Sequence, residues 1–124
     1  MADENGVCQL PTELLTRTRK HLTDAQAVFV EYIPLLQGSF KQNALAANVI
    51  LEKAVLFFQE QNFSVEDGLH PVGEESILAR VDSLKTVHVE IVSLIPFLDT
   101  RGRKHFGRAK EEVVKVIASL EKVL

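Results

Sequence analysis

The chain contains the stretch Tyr32-Ile33-Pro34-Leu35-Leu36-Gln37, and 62 residues later the similar stretch Leu94-Ile95-Pro96-Phe97-Leu98-Asp99. Each copy closes a long pattern of apolar residues with helical spacing. Proline is strongly disfavoured inside helices, so a shared proline near the end of two helices is an informative coincidence. The displacement is half of the 124-residue chain. The repeated ending favours an ancient duplication of one helical hairpin; the alternative is two similar helix endings that arose independently.

The first helix is predicted from apolar positions that recur at steps of three and four between Leu15 and Leu36. Pro11 suits the first helical turn, so the pattern predicts one continuous helix over about residues 11–37. Pro34 should loosen its last turn, because proline lacks an amide hydrogen and crowds the preceding carbonyl. Gly38 is a suitable left-handed stop, and Ser39 can then cap the next helix.

Three further helices follow from the same periodicity. The second is rich in alanine and should end at about Gln61. The third has the cleanest pattern, from Ile77 to Leu98, and this apolar series includes His88. Thr100–Gly102 is predicted to turn the chain into the fourth helix, which reaches the C-terminus.

These elements predict an all-α protein folded as an antiparallel up-down-up-down four-helix bundle, built from two duplicated αα-hairpins. A flexible lead over residues 1–10 precedes a single bundle over 11–124. Hairpin 1 covers about 11–61 and hairpin 2 about 74–124. The connection 62–73 contains two glycines and a proline and joins the halves.

Composition is that of an ordinary globular domain, 46% apolar and 25% charged, and it favours a cytoplasmic protein. The polar, acidic start is unlike a secretory signal, and no apolar run is long enough to span a bilayer. A single cysteine, Cys8, cannot form an internal disulfide. The net charge of −3 gives no general attraction for nucleic acid.

A basic end is the sharpest candidate for a binding site. Short connections place both proline-marked turns at the same end of the predicted bundle, and basic side chains collect there. The start of the fourth helix also carries the positive end of the helix dipole, which favours an anion. This end is expected to receive an acidic peptide, a phosphate group or an anionic lipid head; the alternative is a solvated charged helix start. The candidate residues are Lys41, Arg101, Arg103, Lys104, His105 and Arg108.

A second candidate is an apolar flank on the second and third helices, outside their main core positions. It consists of Val49, Leu56, Phe57 and Val92. Such a flank could accept a partner helix in a groove, or it could belong to a wider core. Focal-adhesion targeting and vinculin-like modules are similar in architecture and bind amphipathic helices in this way. A third possibility is a homodimer closed by the same flank.

Motifs for catalysis are missing from the sequence: it has no glycine-rich phosphate loop, no nucleophile elbow and no metal-ligand spacing. We therefore expect no enzyme activity, no metal and no cofactor. His88 is the best single candidate for chemistry, because imidazole can bind metals, protons or phosphate. Histidine phosphotransfer domains are also small four-helix bundles, but the lysine and glycine that follow their histidine are replaced here by Val89 and Glu90.

The segments 91–102 and 108–117 resemble the closing hairpin of BAG domains. That resemblance implies binding to the ATPase domain of Hsp70 and nucleotide-exchange activity. The family's contacting arginine and glutamine match Lys110 and Ala118, so the glutamine is absent. The sequence thus predicts a non-enzymatic adaptor or assembly module that binds another protein through a helical groove and a basic end. A BAG-like Hsp70 cochaperone and a histidine phosphotransfer domain are the alternatives.

Overall fold

The computed structural model describes residues 5–60 and 68–124. Within these ranges it contains four long helices and one small two-stranded sheet, which is consistent with an all-α bundle. The elements are β1 (Val7–Pro11), α1 (Thr12–Tyr32), the 3₁₀ helix η1 (Ile33–Leu35), α2 (Gly38–Glu60), β2 (Leu69–Gly73), α3 (Glu74–Leu94), the 3₁₀ helix η2 (Ile95–Phe97) and α4 (Thr100–Val123).

The four predicted helices are confirmed, with small changes at their ends. Both prolines loosen the preceding helix, since Pro34 lies in η1 and Pro96 in η2. Gly38 has the predicted left-handed conformation, with φ of 60°. Ser39 does not cap α2, because that helix already begins at Gly38. The predicted turn over Thr100–Gly102 is wrong: α4 begins at Thr100, and the residue before it is the cap.

The sheet was not predicted. Residues 7–10, which the sequence placed in a flexible lead, instead lie in β1 and pair antiparallel with β2, in register from Val7 opposite Gly73 to Pro11 opposite Leu69. Cys8 and Leu10 are fully buried, so this strand contributes to the core. The end of the predicted connection, residues 69–73, is β2; residues 62–67 lie outside the described residues.

The hydrogen bonds at the two ends of the sheet are related by the same 62-residue displacement as the starts of α1 and α3. The Thr12 amide donates to the Gly68 carbonyl at 3.0 Å, and the Glu74 amide donates to the Gly6 carbonyl at 2.7 Å. Both glycines have φ of 72°, in the left-handed region that favours glycine. The starts of α1 and α3 are therefore held by equivalent bonds, each from one half to the other.

The helices surround one core. α1 and α3 each pack against both α2 and α4. Contacts between α1 and α4 join Glu31 to Arg101 near the end of α1, and His21 to Glu112 near its middle. Between α3 and α4, Lys85 lies 3.7 Å from Glu121. Phe29 and Phe106 meet edge to face inside the bundle, with ring centroids 5.2 Å apart.

The predicted core positions of the helices are mostly buried, with one informative exception. His88 is half-buried, whereas its neighbour Val87 is fully buried. The third helix is thus rotated slightly from the predicted orientation. Because burying an imidazole without partners is costly, valine rather than histidine takes the core position.

Candidate binding end

The two 3₁₀ helices border the same cleft, as expected if they lie at the same end of the predicted bundle. We call this end the turn end and define it as residues 33–41 and 95–105. Phe40 and Phe97 contact each other across it, with ring centroids 4.8 Å apart. Between the two turns lies an open cleft of about 570 Å³, a volume in the range of ordinary ligand pockets. The cleft is lined by Leu35, Leu36, Gln37, Gly38, Ser39, Phe40, Leu94, Phe97 and Leu98.

Two apolar side chains project from the turn end into solvent. Leu35 is 71% exposed and Phe97 is 68% exposed, the highest values among the large apolar residues that the structure describes. They occupy equivalent positions in η1 and η2, directly after the two prolines. A single exposed leucine is ordinary, but apolar side chains that cluster beside a cleft are typical of an interaction surface.

The sequence did not identify Leu35, Phe40 or Phe97 as site residues. The predicted apolar patterns of the first and third helices end at Leu36 and Leu98, so Leu35 and Phe97 lie next to predicted core positions and received no role of their own. The signal that could have found them is the proline before each, because a 3₁₀ turn changes the direction of the side chains that follow. Neither residue could be placed at the surface from helical periodicity alone.

Part of the predicted basic end is already engaged within the protein. Arg101 donates to the Glu31 carboxylate at 3.3 Å, and Arg103 donates to the Pro96 carbonyl at 3.2 Å. Lys41 and Lys104 are exposed and have no acidic partner among the described residues. These two lysines are therefore the cations most available to a partner.

The remaining two basic candidates lie farther along α4. The His105 ring is half-buried and lies 5.4 Å from the Tyr32 ring, measured between centroids. Arg108 is exposed and, with His105, lines a shallow cavity that also includes Asp24 and Glu112. This cavity contains acidic groups of its own, so it adds little positive charge to the turn end.

An internal carboxylate occupies the predicted anion site at the start of α4. Asp99 is the N-cap residue, and its Oδ1 accepts a hydrogen bond from the Gly102 amide at 2.7 Å. An acidic side chain in this position satisfies the free amides and the helix dipole. The start of α4 thus provides a built-in counter-charge, and an external anion is not needed there. The equivalent position before α2 is Gln37.

The four predicted groove residues differ in their surroundings. Phe57 contacts α3, since the Arg80 guanidinium lies 5.1 Å from the centre of its ring. Val49, Leu56 and Val92 are each about half exposed. The small cavity between α2 and α3, about 50 Å³, is lined instead by residues that include Asn43, Ala44, Glu90 and Ser93.

His88 borders a shallow groove between α3 and α4. The groove is lined by Lys85, His88, Val114, Ile117, Ala118 and Glu121. Across residues 5–60 and 68–124, no three His, Cys, Asp or Glu side chains are grouped so that they could hold a metal ion. Near His88, this groove contains the ion pair between Lys85 and Glu121 and apolar side chains of α4.

Comparison with known proteins adds no family to this picture. No protein-family model matches the chain, and no curated protein or solved structure is significantly similar to it. A search of the described helices for an apolar stretch sufficient to cross a membrane found none.

Proposed function

We propose that the protein is a non-enzymatic interaction module that binds another protein through the turn end. The observation that carries this proposal is the pair Leu35 and Phe97, which are strongly exposed and both line the same cleft. Exposed apolar side chains that cluster at a protein surface mark interaction sites more often than scattered ones do. We propose further that this binding takes place in the cytoplasm.

Several titratable side chains have structural partners within the protein, which agrees with a binding role rather than a catalytic one. Asp99 caps α4, Glu31 pairs with Arg101, and His21 forms a hydrogen bond with Glu112. Each of these groups has a structural partner, whereas a catalytic acid or base needs access to a substrate. No contact or cavity favours the BAG-like or phosphotransfer alternatives, so we retain one function.

The proposed architecture is an up-down-up-down bundle made by duplication. Its support is the equal displacement of 62 residues between β1 and β2, α1 and α3, and η1 and η2. Glu31 near the end of α1 meets Arg101 at the start of α4, which fits antiparallel neighbours. In this architecture both connections after the prolines belong to the same end, and the turn end is a surface shared by the two halves.

The function is tested by affinity capture from native cytosol with the 124-residue protein. The double variant Leu35→Ser, Phe97→Ser removes the projecting side chains. The matched control Val89→Ser, Val114→Ser removes exposed apolar side chains from the middle of α3 and α4. We expect the turn-end variant to lose captured proteins that the control retains. Equal capture by both variants would overturn the turn end as the binding surface.

A further inference from the structure

We infer that the partner segment at the turn end is an acidic amphipathic helix, with a bulky apolar side chain entering the cleft and carboxylates meeting Lys41 and Lys104. This inference rests on the proposed function and specifies the chemistry of the partner. It follows from the shape of the cleft, from the charges around it and from the position of those charges.

The cleft is large enough to receive a bulky apolar side chain. Leu94 is buried, and Leu36 and Leu98 are half-buried, so the cleft has an apolar floor. Leu35 and Phe97 stand at its borders and would cover the sides of an inserted group. Burial of a leucine or phenylalanine side chain in such a site favours binding, and the costs of association offset part of that gain.

The charges at the turn end are unbalanced toward the positive. The carboxylates of Glu31 and Asp99 are engaged by Arg101 and by the Gly102 amide respectively. Glu90, which lines a small cavity with Phe40 and Leu94, adds a negative charge near the cleft, but basic side chains outnumber acidic ones at the turn end. Lys41 and Lys104 have no acidic partner in the described part of the chain. Lys41 directly follows Phe40 of the cleft lining, and Lys104 lies in the second turn of α4. Unpaired lysines in these positions complement carboxylates on a partner, which would increase both the association rate and the specificity.

The positions of the two lysines favour a helix. Lys41 belongs to the first turn of α2 and Lys104 to the second turn of α4, and each of these helices packs between α1 and α3. The positive charges therefore come from different helices, with apolar residues of both turns at the same end. An amphipathic helix presents the matching pattern, an apolar stripe with acidic residues on its flanks.

A flat anionic membrane is the main competing occupant. A bilayer could bury the tips of Leu35 and Phe97 and attract the lysines. It would not place a side chain on the floor of the cleft formed by Leu36, Leu94 and Leu98. The concave shape therefore favours a protein partner, and the experiment includes vesicles as a separate arm.

The test uses the 124-residue protein and two labelled model peptides of about five helical turns. Both peptides carry the same leucine stripe; one has glutamates on its flanks and the other has lysines. Fluorescence anisotropy measures binding, and vesicles of phosphatidylserine and phosphatidylcholine form the third arm. We expect the acidic peptide to bind, with the lysine peptide weaker by about tenfold or more.

Two variants locate the binding of the acidic peptide. Leu35→Ser with Phe97→Ser removes the walls of the cleft, and Lys41→Glu with Lys104→Glu reverses the free charges. Each should weaken binding by about tenfold. The control Lys53→Glu with Lys122→Glu changes the net charge equally, at exposed lysines outside the turn end, and should bind like the unmodified protein. Circular dichroism verifies that every variant is folded.

The inference is overturned if both peptides bind equally, if the control reversal weakens binding as much as the turn-end reversal, or if vesicles bind and the acidic peptide does not. Absence of peptide binding, while capture from cytosol still depends on Leu35 and Phe97, would reject the acidic helix and leave the proposed function standing. Loss of that dependence would reject the proposed function itself.

Discussion

Asp99 and Gln37 occupy equivalent positions before α4 and α2, and their side chains differ in what they can do. The Asp99 carboxylate accepts a hydrogen bond from the Gly102 amide at 2.7 Å. Asp99→Ala should lower the free energy of unfolding by about 1 kcal/mol, because a helix loses its cap. Urea denaturation measures the change, and Asp82→Ala, at an exposed site within α3, is the control.

The reciprocal change tests the equivalence of the two positions. Gln37→Asp places a capping carboxylate before α2 and should raise the free energy of unfolding by up to about 1 kcal/mol. Since the change also adds negative charge beside the cleft, binding of an acidic peptide should weaken. A neutral effect on stability would show that the start of α2 is satisfied in another way.

Two glycines of α4 differ in the space around them. A methyl group at Gly102 would lie 3.1 Å from Leu98 Cβ and 3.1 Å from the capping oxygen of Asp99, whereas nothing lies within 4 Å of one at Gly107. Gly107→Ala should therefore stabilise the protein by about 0.5–1 kcal/mol through helix propensity. Gly102→Ala should destabilise it, because Leu98 Cβ is fixed to the backbone. Thermal unfolding measures both changes, and an equal rise in the unfolding temperature of the two variants would contradict the expected difference.

At the scale of elements, β1 is the decisive test of the fold. Leu10 is fully buried, and Gln9 next to it is exposed. Leu10→Ala should cost roughly 2–5 kcal/mol of stability, since it leaves a cavity in the core. Gln9→Ala should change stability by less than about 0.5 kcal/mol. If residues 1–10 were a flexible lead, both variants would unfold at the same urea concentration as the original protein.

The two 3₁₀ helices account for the exposed apolar side chains at the turn end. A proline in the last turn prevents the α-helix from continuing, and the chain changes direction before the next helix begins. The following side chains, Leu35 and Phe97, consequently leave the core pattern and enter solvent. The same devices that end α1 and α3 thus produce the apolar surface of the proposed site.

At the scale of the whole molecule, the halves should unfold together. β1 pairs with β2 across the halves, and α1 and α3 each pack against both α2 and α4. Leu22 and Leu84 are equivalent and fully buried. Leu22→Ala or Leu84→Ala should each cost roughly 2–5 kcal/mol and lower the protection of core amides in both halves equally.

Hydrogen exchange followed by mass spectrometry measures that protection peptide by peptide. Leu78→Ala, at a partly exposed site on α3, serves as the control and should leave protection unchanged. Faster exchange confined to the half that carries the substitution would show that each hairpin has a core of its own. The extent of cooperation between the halves also decides whether a partner at the turn end can stabilise the whole chain.

The four helices, and the loosened ends of two of them at Pro34 and Pro96, could be predicted from the sequence. Helical periodicity and proline chemistry act between residues that are close along the chain. The exposure of Leu35 and Phe97 could not be predicted in this way, nor could the hydrogen bonds of Arg101 and Arg103 within the protein. Both depend on neighbours from other elements.

The formation of the sheet depends on tertiary contacts. β1 and β2 are short segments, each containing a proline, and their stability comes from pairing between residues about 62 positions apart and from burial of Cys8 and Leu10. The choice of Val87 rather than His88 for the core is also tertiary. The helices packed against α3 set its rotation, and an imidazole without partners is costly to bury. Local spacing specifies which segments form helices; contacts distant in sequence specify which of their residues face a partner.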